Sequence, residues 1–217
     1  MNREAALVQL NSELFSLPLP EGVTQIVPGE GDPNSPVVLV GHAPGSTDNE
    51  TGRPYSGPAG ELLNQLLAEA GLQRHEVYIT NLVKVWTWKQ ETSGRVNRTP
   101  GAGEIKAWSK VLKVELELIA PKALVCLGGP TAQHFLGKGF KITQSAGQWL
   151  PWPTESPYLK IVGESGFRPV VMGIPQPNYL IHLQQHAPEA YPDARANMVA
   201  HLIRVKRYLE QAGNIRD

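Results

Sequence analysis

Four short, almost wholly apolar runs punctuate the chain: Val37-Val38-Leu39-Val40, Val77-Tyr78-Ile79-Thr80, Ala123-Leu124-Val125-Cys126-Leu127 and Val170-Val171-Met172-Gly173-Ile174. Runs of this length without polar alternation are the mark of strands buried on both faces. Between them, apolar residues recur at helical spacing. Residues 4 to 17 set Leu7, Leu10, Leu14 and Phe15 on one face, and a stretch from about 60 to 70 does the same with Leu62, Leu63, Leu66 and Leu67 before Gly71, a C′ cap. Further helices are predicted over 104–119, from near Pro130, and from about 192 to 211. Strands that alternate with helices predict an α/β fold with a parallel sheet covered on both faces. Residues 86–103 read as a long loop, and the Pro/Gly-rich segment 149–166 as room for an extra β-ribbon. No internal repeat is visible.

Composition narrows this picture only modestly. A chain of 217 residues suits one domain over 1–217 with a sizeable core. Twenty basic and twenty acidic residues balance, which neither favours nor excludes nucleic acid, since a local basic stripe can sit on a neutral protein. The single cysteine, Cys126, lies inside an apolar run and reads as a small core hydrophobe. It permits no internal disulfide and no cysteine-rich metal site. No apolar stretch approaches the ~20 residues of a spanning helix, and no signal peptide is apparent. The expectation is a cytoplasmic monomer without a membrane contact.

Candidate chemistry gathers at the strand ends. The first strand runs into Gly41-His42-Ala43-Pro44-Gly45, the second into Asn81, the third into Gly128-Gly129-Pro130-Thr131 and the fourth into Pro175-Gln176-Pro177-Asn178-Tyr179. On a parallel sheet these loops converge on the carboxyl edge, where open α/β sheets bind ligands. Two Asn, a Gln, a His and a Tyr around one cleft can hydrogen-bond a planar amide-bearing ligand and stack on it. A nucleobase fits that description. Simpler roles compete: Asn81 as a turn former or cap, His42 as a satisfied loop histidine. Trp86 and Trp88 beside Lys84, Lys89, Arg95 and Arg98 suit single-stranded nucleic acid, or equally a packed loop. His182 and His186 have metal-ligand spacing but no acidic zinc motif around them. No Gly-Lys-Ser/Thr loop or dinucleotide fingerprint is present.

Taken as an ordered set, the motifs resemble the uracil-DNA glycosylase superfamily, and most closely its iron–sulfur-containing family 4. The segments that carry the likeness are Gly41-His42-Ala43-Pro44-Gly45, then Gly52-Arg53-Pro54-Tyr55-Ser56-Gly57-Pro58-Ala59-Gly60, then Tyr78-Ile79-Thr80-Asn81 with Lys84 after it. Asn97-Arg98-Thr99-Pro100 with Glu104, Leu127-Gly128, and Gln176-Pro177-Asn178-Tyr179-Leu180 complete the set, which spans 37–205. The resemblance implies a three-layer αβα sandwich with a central four-stranded parallel sheet. It also implies DNA as partner, base flipping, and hydrolysis of the N-glycosidic bond of uracil or another deaminated base. By carry-over, Tyr55 stacks on the base, Asn81 bonds its amide edge, and the backbone of Ala43 and Gly45 contacts it. Lys84, Arg98, Pro177 and Tyr179 become DNA contacts, the last loop penetrating the duplex.

The departures fall on the catalytic motifs. His42 stands where family 4 has Glu, Gln176 where it has the His that faces the leaving base, and Asn178 where it has Ser. Ala146-Gly147 replaces an Arg-Gly. Val85 and Trp108 occupy two cluster-cysteine places, and the other pair has no counterpart, so no cofactor is expected and apolar packing is expected in its stead. The catalytic candidates are then His42 and Asp48 to position water, and Gln176 with Asn178 at the leaving base. Such a set implies a glycosylase of reduced rate or altered specificity, with a nucleic-acid binder that has lost the chemistry as the alternative.

Overall fold

The computed structural model describes residues 2–213. Its elements in chain order are α1 (Arg3–Phe15), β1 (Glu30–Gly31), β2 (Val37–Gly41), α2 (Ser46–Thr51), α3 (Pro58–Glu69), β3 (Tyr78–Asn81), β4 (Trp88–Glu91), β5 (Gly94–Asn97), α4 (Ala102–Ile119), β6 (Ala123–Leu127), α5 (Gly129–Leu136), α6 (Ile142–Ser145), β7 (Leu150–Pro151), α7 (Pro157–Val162), β8 (Val170–Ile174), α8 (Pro177–His186) and α9 (Tyr191–Gly213). The main sheet has the order β1-β3-β2-β6-β8-β7. Its four inner strands pair in parallel, as expected, and β1 and β7 add short antiparallel edges.

Alternate strand residues feed two cores. Val37, Leu39, Val125, Leu127, Met172 and Ile174 face Leu63, Leu66 and Leu67 of α3, Leu180 of α8 and Leu202 of α9. Val38, Val40, Leu124, Cys126 and Val171 face Leu7 of α1, Leu112 and Leu116 of α4, Phe135 of α5 and Tyr158 of α7. Helices therefore cover both faces, and the architecture is a three-layer αβα sandwich. Among the described residues no helix is long and apolar enough to cross a membrane.

Several sequence expectations need correction. The 86–103 loop contains a β-hairpin, with Trp88 opposite Asn97. The 149–166 segment forms no ribbon of its own: β7 joins the main sheet and α7 follows. Residues 177–179 belong to the first turn of α8 rather than to a loop. Phe15, assigned to the inner face of the first helix, is largely exposed.

A third, smaller cluster holds Leu14, Val23, Ile26, Val83 and Val85, with Trp108 packed against it. Val85 and Trp108 thus fill the space with hydrocarbon, as expected. These residues do not fit a four-thiolate cluster, because the one cysteine, Cys126, is buried in β6 and its thiol is pushed up in pKa by burial.

Lys84, between Val83 and Val85, is buried against other partners. Its ammonium pairs with Glu115 of α4 and bonds Thr80 Oγ1. Glu115 also accepts from Tyr78 Oη at 3.0 Å and from Thr80 Oγ1 at 3.0 Å. The expectation that Lys84 touches DNA is therefore corrected: it is fully buried and already neutralised. Burial lowers its pKa and Glu115 opposes that effect. The pair ties β3 to α4. Breaking such a pair leaves a lone buried charge and costs about 3–5 kcal/mol, whereas apolar replacement of both partners is often neutral or better. Glu115→Ala is expected to destabilise by that amount in urea unfolding, and Lys84→Met/Glu115→Leu to restore most of it.

His134 of α5 is buried, lies 3.0 Å from Ser109 Oγ and meets Phe135 and Tyr158 edge-on. Burial, with a smaller contribution from His42, lowers its pKa to about 4. The neutral ring is the folded form. Its stabilising contribution is complete above the unfolded value near 6.5, and is lost as pH falls from there through about 4. The loss amounts to roughly 3 kcal/mol. Denaturation midpoints across pH 4–7 are expected to fall more steeply for the wild type than for His134→Gln.

Candidate functional site

The strand register brings the expected residues together. Gly41 lies opposite Asn81 at the ends of β2 and β3, and Leu127 opposite Ile174 at the ends of β6 and β8. Pairing continues one step past the sheet: Leu82 N–H donates to Gly41 O at 2.9 Å and Val83 N–H to His42 O at 3.0 Å. The backbone of His42 is thereby fixed to the strand-end frame rather than left on a free loop.

Gly41 is the floor of the site. A methyl group there would overlap the Asn81 amide and the Tyr55 ring, so both side chains rest against its Cα. Asn81 is 1% exposed, and neither Oδ1 nor Nδ2 has a hydrogen-bond partner within the protein. An unpaired buried amide costs about 1–3 kcal/mol per polar group. It is the strongest indication of a ligand with both a donor and an acceptor.

Tyr55 is held in an unusual conformation. Its φ is +52°, in the left-handed region. Gly60 allows the approach, since a Cβ there would collide with the Tyr55 carbonyl. Arg74 spans the same corner, donating to Pro54 O at 2.5 Å, Tyr55 O at 3.4 Å and Asn64 Oδ1 at 3.1 Å. Burial and the Asp48 carboxylate push the Tyr55 phenol up in pKa, so it stays neutral.

Asp48 braces this loop. Its Oδ2 accepts from Gly45 N–H at 3.1 Å, and its Oδ1 from Ser56 N–H at 2.7 Å and Ser56 Oγ at 2.9 Å. These bonds close the chain around Tyr55 and link it to the His42–Gly45 turn. The carboxylate expected to orient water is thus already committed to three donors.

Two adjoining clefts lie beside this floor, and neither Gly41 nor Asn81 lines them. One, of about 310 Å³, is lined by Gly45, Asp48, Tyr55, Asn97 and Asn178. The other, of about 280 Å³, is lined by His42, Ala43, Asn97, Arg98, Thr131, Gln176 and Asn178. His42 is half-buried, and burial lowers its pKa, which favours the neutral imidazole. Gln176 is the exposed N-cap residue of α8, and its side chain stands over Gly128, whose φ of +104° needs glycine.

The remaining expected contacts divide. Arg98 lines the cleft, but its guanidinium is bidentate to Glu104 at 2.7 Å and donates to Trp88 O at 3.0 Å. Pro177 is buried at the start of α8, so it does not project as a wedge. Tyr179 is exposed, on the far side of Gln176. Trp86 and Trp88 pack in the hairpin, with Trp88 Nε1 donating to Glu21 O at 2.9 Å and Arg95 lying over its ring. His182 and His186 stack on each other on an exposed face.

Three residues were given no individual role from the sequence. Arg74 is one. Thr131 is another, with a buried hydroxyl that has no partner beside the second cleft. The third is Asn97, which borders both clefts. Its Oδ1 accepts from Trp86 Nε1 at 2.6 Å, which directs Nδ2 as a free donor toward Gly45. Its place at the head of Asn-Arg-x-Pro was the available signal.

The family model for the uracil DNA glycosylase superfamily matches residues 28–201. A type-4 uracil-DNA glycosylase of Thermotoga maritima is 38% identical over 136 residues, 62% of this chain and 67% of that protein. One from Archaeoglobus fulgidus is 40% identical over 110 residues, 51% of this chain and 52% of that protein. A type-5 uracil-DNA glycosylase of Thermus thermophilus is 33% identical over 134 residues, 55% of this chain and 58% of that protein.

The brace reading of Asp48 is directly testable. Hydrogen bonds to a charged acceptor contribute about 1.5–3 kcal/mol each, but removing this buried carboxylate also removes its own desolvation cost, so the net loss is smaller than their sum. Asp48→Ala is expected to lower unfolding free energy by roughly 3 kcal/mol in urea titration, with Asp48→Asn intermediate. A residue that only held water would leave stability nearly unchanged.

Proposed function

Because this chain belongs to the uracil-DNA glycosylase superfamily, we propose that it hydrolyses the N-glycosidic bond of uracil, or of another deaminated base, in DNA. The observation that carries this reading is the buried, unpartnered Asn81 amide beside the Tyr55 ring. A pyrimidine-like edge offers adjacent donor and acceptor groups, which match Nδ2 and Oδ1. The aromatic face supplies stacking worth about 1–3 kcal/mol per base. A duplex base cannot reach so recessed a floor, so the nucleotide is extruded before reaction.

Cleavage builds positive charge on the sugar and negative charge on the departing base. His42, neutral because burial disfavours its charged form, accepts a hydrogen bond from the attacking water. Gln176 donates its amide N–H to the base oxygen, and Asn178, at the junction of the two clefts, assists. Asp48 sets the Tyr55 turn and leaves an anionic field near the developing sugar cation. Gln176 carries no charge, and charge-assisted bonds are about twice as strong as neutral ones. This chain therefore works more slowly than one with an imidazolium at that position.

The test is incubation with oligonucleotides carrying uracil, hypoxanthine or xanthine, followed by hot alkali to reveal abasic sites. Slow wild-type excision is expected, its rate flat above pH 7 and falling as His42 protonates below its ordinary value of 6.5. Gln176→His is expected to raise the rate about tenfold or more, since a positioned group contributes about 10²–10⁴-fold, alone or with Asn178→Ser. Tyr55→Ala is expected to abolish it. DNA binding with no abasic product from any variant would instead support the binding-only reading, which the neutral His42 and Gln176 favour.

A further inference from the structure

A further concavity, larger than either of the clefts beside Gly41, adjoins them. It is a groove of about 560 Å³ on the other side of Gln176, walled by the start of α5, by α6, and by α8 and α9. Gly128, Pro130 and Gln176 border both this groove and the second cleft, so the two spaces meet along one edge. Ala146 and Ala194 keep it open with short side chains.

Most of its lining surface is apolar, with amides and a histidine set into it, and among the described residues it carries no Lys, Arg, Asp or Glu. Amides come from Gln144, Gln176 and Asn197, and Tyr179 offers a ring that is 45% exposed. His201 also reaches it; its Nδ1, tucked against Gly147, has no partner, and burial together with Arg204 favours its neutral form. A phosphate would find no cation here. A planar, uncharged heterocycle would find an aromatic face and amides with donors and acceptors for its edge.

We propose that this groove binds the nucleobase next to the extruded one on the same DNA strand, so that Gln176 stands between two base sites. The inference rests on DNA being the substrate, as proposed above. One face of the neighbouring base stacks on Tyr179, and its edge meets Asn197 and Gln144. Because the groove is uncharged, its contribution depends on the presence of the base and not on the phosphate. A chain with such a site acts preferentially on single strands, where the neighbour is free to leave the stack.

Binding of single-stranded oligonucleotides, measured by fluorescence anisotropy, tests this independently of cleavage. Each carries one uracil, with either a normal nucleotide or an abasic spacer at the position 5′ or 3′ of it. The spacer keeps the phosphate and removes only the base. On one of the two sides the spacer is expected to weaken wild-type binding about 5- to 100-fold, the range that one stacked base contributes. In Tyr179→Ala/Asn197→Ala, whose two positions are exposed, the normal and spacer oligonucleotides are expected to bind alike, with thermal unfolding confirming an intact fold. Equal wild-type binding with and without the spacer on both sides overturns the proposal even if uracil is excised. So does an undiminished spacer effect in the double variant. A spacer effect that vanishes in the variant, with no abasic product, supports the groove while removing the catalytic reading.

Discussion

Tyr55 and Asn81 share the space over the Cα of Gly41, and most of the local architecture serves that one close approach. Gly41 has no side chain to obstruct it. The parallel register sets Gly41 beside Asn81, so the amide needs no loop to bring it there. Tyr55 arrives from the other direction on a strained backbone. A non-glycine residue at φ +52° costs energy. Arg74 on its carbonyls, Asp48 on its flanking amides and Gly60 beneath it hold the conformation. These three act on backbone groups, so the ring itself remains available for a ligand. The unpaired Asn81 amide is a second local cost, and the rest of the fold is ordered enough to carry both.

That order comes partly from a part of the molecule remote from any ligand. In the family this chain resembles, a cluster pins the segment after the Asn-bearing strand. Here Val83 and Val85 are buried against α1 and Trp108, while Lys84 between them pairs with Glu115. The chain bends here, with Val83 and Val85 in the apolar cluster and Lys84 turned to Glu115. One apolar and one ionic anchor thus hold this segment. The ionic anchor also fixes Tyr78 and Thr80, which flank Ile79 in the strand that ends at Asn81.

How much of this was legible in the residues depends on the range of the interaction. The four inner strands were readable because each is buried on both faces, which leaves no polar interruption in the run. Their convergence on one edge followed from parallel pairing, and so did the placing of His42 and Gln176 on one cleft and of Asn81 beside Gly41. Lys84 was misread because a lysine among loop aromatics resembles a phosphate contact, whereas its partner Glu115 lies 31 positions away on another helix. Arg98 shows the same limit, its charge being taken up by Glu104. The hairpin in 86–103 escaped notice because its burial alternates weakly, with most positions exposed. Arg74 had no local signal at all: its targets are the carbonyls of Pro54 and Tyr55, which no side-chain pattern encodes.

The electrostatics of the two clefts bear on what chemistry they suit. Among the described residues, Asp48 and Arg98 are the only formally charged side chains that line them, and Arg98 is neutralised by Glu104. The anionic field at the clefts is therefore that of Asp48, which reaches Tyr55 and is opposed in part by Arg74. In the proposed reaction this field favours the sugar cation and opposes the base anion, so it helps one half of the transition state at the expense of the other. The protein answers the second half with dipoles: the Gln176 amide, the Asn81 amide and the neutral phenol of Tyr55. Dipoles held in place before reaction cost no reorganisation when charge develops, which is why such groups are effective out of bulk water. They are still weaker than a charge. A site of this kind is most effective on bases that already leave well, whose anions are stabilised by their own carbonyl groups, and it discriminates by leaving-group acidity as much as by shape. Uracil and the deaminated purines satisfy that condition better than the ordinary amino-bearing bases do.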